Sequence, residues 1–257
     1  MKVSSRIRPR LTRLILTTAV VAPMALPYGV SAASPSQQAQ QALKASTECT
    51  KVQTFGQNAL NTIATRTNKM QTDSASDAAK RQQQWASYDT QIASDRANWD
   101  NVRQQNFAKL SAEAKTSTSQ SAVSTFEQTV LGDVTTRRSA VDDARNTYRS
   151  TVTQDASARL AGLLAAVSTF KGAVQTAMNT AQASCTAGNT TGVGTTFVAS
   201  MKQARMSFNA AISAVPKLTP QVQAAGQTRD ATIKQADSTF QSQVQQAAGV
   251  LKSALGQ

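Results

Sequence analysis

Histidine is missing altogether from this chain of 257 residues. With it go the usual general base and the commonest metal ligand at neutral pH. Aromatic residues make up only 5 % of the chain, and proline and glycine are scarce, with 6 and 11 copies. A sequence so poor in large rings cannot fill a wide globular core, and one so poor in turn residues cannot change direction often. Alternation of β-branched and polar residues between turn residues is also missing, which excludes a sheet protein. No run of about 20 apolar residues, the length of a membrane-spanning helix, occurs anywhere.

The longest apolar run is residues 14–26, interrupted by Pro23. Before it stand Lys2, Arg6, Arg8, Arg10 and Arg13 without one acid, and after it the small residues Ser31, Ala32 and Ala33. A charged region, a short apolar region and a small-residue cleavage site in that order are a secretory signal. Residues 1–33 are therefore expected to be removed, and the mature protein to be secreted, periplasmic or at the cell surface. Removing them takes five positive charges from the 27 lysines and arginines, leaving 22 against 14 acids, a net of +8. The excess is spread along the chain, so it favours anionic partners in general and selects none.

What the mature chain has is helical periodicity. Leu160, Leu163, Val167, Phe170, Val174, Ala177 and Ala181 follow each other in steps of three and four, an unbroken heptad seam. The seam extends upstream through Val123, Phe126, Val130, Val134, Val141, Tyr148 and Val152. A second runs Val52, Phe55, Ala59, Ile63 and Met70, then Trp85, Tyr88, Ile92, Trp99 and Val102, with Asp95 in one seam position. Between the two seams lies the polar stretch 115–121, rich in residues that turn chains and cap helices.

Only two cysteines are present, Cys49 and Cys185. An exported protein meets oxidising conditions, so they are expected to pair. Their midpoint, residue 117, falls in the polar stretch. A helical hairpin bent there brings both cysteines level, with Cα atoms roughly 5.5 Å apart as a disulfide requires. The cap-rich residues 71–77 offer a competing break, which that restraint turns into a kink or polar patch.

After Cys185 the segment 187–196 carries three glycines and reads as a loop. Phe197, Met201, Ala204, Phe208 and Val215 then give a helical face, and Pro216 and Pro220 separate it from a last helix carrying Val222, Ile233, Phe240, Val244 and Leu251. The expected fold is all-α: a long antiparallel coiled-coil hairpin over 34–186, with residues 197–257 as a C-terminal helical hairpin. The latter would pack at the cysteine end as a three- or four-helix base.

Chemistry is hard to place. Asp142 and Asp143 are adjacent and diverge by about 100° on a helix, so they cannot flank a substrate. Asp73 and Asp77 share a face but lack the further oxygens of a calcium loop. The cysteines have no CxxC partner, and no serine sits in a nucleophile motif. The glycines at 188, 192 and 194 do not form a phosphate loop. No catalytic residue, metal or cofactor is assigned, and an enzyme is not expected. Arg137, Arg138, Arg145 and Arg149 are the candidate anion-binding stripe, opposed by the reading that they are solvated and partly paired with Asp133, Asp142 and Asp143. Asn189-Thr190-Thr191 is a glycosylation triplet wherever the source modifies it.

The leading expectation is an exported non-enzymatic coiled-coil protein, a cell-surface or extracellular structural or interaction element. Its partners would be protein or an anionic envelope polymer; nucleic acid is not expected, no transmembrane segment remains in the mature chain, and self-association through exposed seams is in keeping. In basic charge and helical arms the chain resembles the Skp family of periplasmic chaperones, though it shows no counterpart of their small β-body; that resemblance implies a holdase. A membrane-associating helical protein is the third class.

Overall fold

The computed structural model describes residues 48–187 and 192–256. The signal segment 1–33 and the triplet Asn189-Thr190-Thr191 lie outside the described residues, as does position 188 of the glycine-rich loop; residues 193–196, expected in that loop, are the first turn of a helix. Four helices account for nearly everything described: α1 (Glu48–Glu113), α2 (Ser117–Thr186), α3 (Val193–Ala214) and α4 (Leu218–Ala254). Among the described residues there is no strand.

The first two helices are long because nothing stops them. Neither contains proline, and α1 has a single glycine, Gly56. Proline is the residue that most firmly breaks an α-helix. Helix α1 passes through 71–77 without interruption. Side chains there bond back onto the helix rather than ending it: Thr72 Oγ1 donates to the Asn68 carbonyl at 3.0 Å, and Asp73 accepts from Lys69 Nζ at 2.9 Å. At 66 residues α1 is about 100 Å long.

The chain reverses at 114–116, and Thr116 caps α2. The Thr116 hydroxyl accepts from the Ser119 backbone N–H at 3.1 Å, and the Ser119 hydroxyl accepts from the Thr116 N–H at 3.0 Å. That reciprocal box satisfies two donors that a helix start leaves unpaired. Lys115 Nζ donates to the Ala112 carbonyl at the end of α1. At the other end Cys49 and Cys185 lie at disulfide distance, Cα to Cα 6.0 Å, so the two arms are antiparallel and in register over their whole length.

Helix α3 begins beside the cysteines. Gly192 takes φ 79° before it, a left-handed conformation that glycine adopts without strain. Phe55 of α1 and Phe197 of α3 meet edge to face at 6.0 Å, and together with Val52, Val174, Ala177, Ala181 and Met201 they form the driest part of the molecule. Helix α3 then runs antiparallel to α2, with Phe208 against Phe170 and Val215 against Gly162. A Cβ on Gly162 would come within 3.3 Å of Val215, so this glycine makes the close approach feasible. The helix ends at Val215, and Arg159 donates to the carbonyl of Pro216 at 2.6 Å.

The all-α hairpin stands, but the C-terminal helices lie elsewhere than expected. They do not fold against each other as a hairpin over 197–257. After the three-residue break at 215–217 the chain continues in the same direction, and α4 follows α2 to the bend. Arg229 lies over Tyr148, Arg137 over Phe240, and Leu251 joins Ala114 and Val123 in a cluster at the reversal itself. The molecule is thus a three-layered rod in which α3 and α4 together form one bent third arm. The physical reason is the seam of α2, which is apolar beyond the cysteine end too: Val123, Val130, Val134, Val141 and Val152 are all buried. One opposing arm does not cover such a stripe, and α4 supplies the second.

Candidate functional site

The distal half of α1 turns a polar stripe toward α2. From Ile92 the half-buried positions proceed Arg96, Asp100, Arg103 and then Phe107, so two successive steps of four residues rotate the seam. That is the local mark of an 11-residue rather than a 7-residue repeat. Trp99 and Val102, seam residues by a strict heptad count, consequently face out, 56 % and 46 % exposed, and Asp95 is exposed as well.

Arginines and aspartates fill the seam where the apolar residues have turned away. Arg138 on α2 donates two hydrogen bonds to Asp100 at 3.0 and 2.7 Å. Arg96 on α1 returns the pattern with two to Asp142 at 2.8 and 2.7 Å. Arg149 holds Asp89 at 2.8 and 2.7 Å, its guanidinium 5.5 Å from the Trp85 ring centroid. Such two-pronged pairs fix orientation as well as charge. The carboxylates respond: hydrogen bonds from Arg138 and then Arg103 pull Asp100 down to about 2, and Arg149 and Arg96 lower Asp89 and Asp142. Arg96 is raised by its bond to Asp142.

The structure does not gather Arg137, Arg138, Arg145 and Arg149 into one anion-binding patch. Arg138 and Arg149 clamp α1. Arg137 points the other way, its Nε 2.7 Å from Asp237 of α4. Arg145 lies 3.6 Å from Asp142, beyond hydrogen-bonding range, and its pKa is lowered chiefly by burial. Of the three aspartates proposed from sequence as partners, Asp142 serves; Asp143 is exposed, and Asp133 keeps one buried oxygen, Oδ2, without a protein partner. The partners that sequence reasoning missed, Asp89, Asp100 and Asp237, sit on other helices. The signal for two of them was partly available: a bend at 117 puts 138 opposite 96 and 149 opposite 85, and Asp100 and Asp89 lie one turn further along α1 on the same face.

Beside the Arg149–Asp89 clamp the two helices leave an open groove of about 540 Å³. Gln82, Trp85 and Asp89 line it from α1, and Arg149, Ser150 and Gln154 from α2. Its charges cancel within the clamp. Among the described residues no three histidines, cysteines or carboxylates come together as a metal would need, and no helix is long and apolar enough to cross a membrane. Asp73 is paired with Lys69 across one turn.

No protein-family model matches the chain, and no curated protein and no solved structure matches it either.

Proposed function

We propose that the protein is an exported, non-enzymatic rod that works outside the cytoplasmic membrane as a structural or interaction element of the cell surface or its surroundings. The observation that carries this reading is the three-layered rod itself, about 100 Å long and clamped at one end by a cysteine pair 136 residues apart in sequence. A rod of this kind holds its two ends a fixed distance apart, which a compact domain of the same size does not do. The cysteine pair belongs to an oxidising compartment, in keeping with the signal-like residues 1–33. Ion pairs between layers, rather than a continuous dry core, suit a slender body in which every layer touches water. Interaction along the sides would then be with protein or with envelope polymer.

Small-angle scattering of the mature protein, with mass spectrometry under non-reducing conditions, tests the reading. An elongated particle that begins near Ser34 and carries the 49–185 disulfide is expected. A compact particle, or free thiols at both cysteines in protein recovered from outside the cell, would overturn it.

A further inference from the structure

The groove between α1 and α2 has a lining that selects its occupant. Arg149 and Asp89 neutralise each other across it, so neither an anion nor a cation finds a net charge to meet. Trp85 is half-buried, and the walls mix its indole, Ala86 and aliphatic stems with polar groups, so a wholly apolar peptide would leave hydrogen-bonding groups unpaired there. The hydrogen-bonding groups are of both kinds. Gln154 donates to Ser150 Oγ at 3.3 Å, which leaves the Gln154 carbonyl free to accept and the Ser150 hydroxyl free to donate. Thr153 donates to the Arg149 carbonyl at 2.8 Å and keeps its acceptor lone pairs. Gln82 is exposed and offers both a donor and an acceptor. Asp89 retains lone pairs beyond those that Arg149 occupies.

A ligand suited to this lining is uncharged, carries hydroxyls that both donate and accept, and has a C–H face to set against an indole. C–H groups are attracted to the negative face of such a ring, the same property by which the Arg149 guanidinium lies 5.5 Å from the Trp85 centroid. Neutral sugars meet that description. The groove, about 540 Å³, is open to solvent along the rod, as a chain lying along it needs. Its walls are two clamped helices rather than loops, so the polar groups are held in place before anything binds.

We infer that the groove bounded by Gln82, Trp85, Asp89, Arg149, Ser150 and Gln154 is a binding site for a neutral oligosaccharide chain lying along the rod. This rests on the reading of the protein as an extracellular interaction element with protein or envelope polymer as partner, and narrows that polymer to a neutral glycan. The rod would then dock by its side to a surface polysaccharide.

The chain has two tryptophans, so a Trp99→Phe variant leaves Trp85 as the only indole reporter. Titration of this otherwise intact protein with chitotetraose, cellotetraose, maltotetraose and mannotetraose is expected to give a saturable fluorescence change with at least one, at a Kd on the order of 1 mM or below. The added pair Gln82→Ala and Gln154→Ala, both at exposed positions, is expected to weaken that binding by about tenfold, the loss of one to two hydrogen bonds. Circular dichroism checks the fold, and Gln82→Ala alone serves if the pair unfolds. Silence with all four sugars at about 10 mM, unchanged affinity in the glutamine variants, or tighter saturation by polyphosphate than by any sugar would each overturn the inference. A rod that scatters as elongated yet binds no sugar removes this inference alone, whereas a compact particle removes the functional reading on which it rests.

Discussion

The cysteine end and the distal half of the rod are built on the same three-layer plan by different means. At the cysteine end α1, α2 and α3 all approach one another, and Val52, Val174 and Phe197 are sealed from water. Toward the bend the backbone of α4 follows α2 alone, and the third layer reaches α1 through side chains around Phe107. Most of the apolar residues of α4 are only half-buried, and arginine–aspartate clamps stand where aliphatic contacts would otherwise be. Burial supplies most of the stability at one end. At the other, register is held largely by charge pairs that contribute modestly to stability.

Breaking the cysteine pair should separate the two ends most. Closing a loop across 136 residues restricts the unfolded chain by about 5 kcal/mol in the chain-entropy account. Cys49→Ser with Cys185→Ser, or reduction, is therefore expected to lower the thermal midpoint sharply. Hydrogen exchange should rise first in the opening turns of α1, whose only covalent tie to α2 at that end of the hairpin is the disulfide. Phe197→Ala should cost about 3–5 kcal/mol in denaturant unfolding, as deletion of a sealed ring usually does. Phe240→Ala on α4 removes the same side chain from a half-buried place and should cost roughly half as much.

A still smaller effect is expected at the clamps, where salt and acid are the sharper probes. Arg96→Ala should cost about 1 kcal/mol or less, and less again in high salt. Asp100 is held near 2, below its ordinary 3.8. A carboxylate whose pKa falls on folding stabilises the fold above its unfolded value and stops doing so as pH drops through the folded one. The difference in midpoint between the wild type and Asp100→Asn should thus be present at neutral pH, shrink between about pH 4 and pH 2, and be gone below that. Trp99→Gln should change stability by no more than about 0.5 kcal/mol, the usual range for a surface position. A loss of about 3–5 kcal/mol would return Trp99 to the seam.

Much of the fold was legible because apolar spacing and the cysteines are local, countable signals. Every seam residue named on α2, from Val123 to Ala181, is buried or half-buried. Trp99 was misplaced because a strict heptad count has no means of registering two successive steps of four, and a tryptophan attracts assignment to a core. Arg96 and Asp100, which occupy the seam instead, look like solvated charges until the opposing Asp142 and Arg138 are set beside them. The third arm was harder. Pro216 reads as a sharp stop, and nothing local distinguishes a reversal from a short break with the direction kept. That choice is made by the apolar stripe of α2, a property of another helix. The groove was not legible at all, since its lining comes from two segments sixty or more positions apart and contains no recognisable motif.

The direction of α4 is the central claim, and the natural lysines can test it without any substitution. Lys252 lies beside Leu251, in the cluster that joins Ala114 to Val123 at the bend. Cross-linking of the purified protein with a short amine-reactive reagent, read by mass spectrometry, should join Lys252 to Lys115 or Lys109. A link from Lys252 to Lys51, beside the cysteines, within a single chain would place the C-terminal helices back at the base and contradict the three-layered rod.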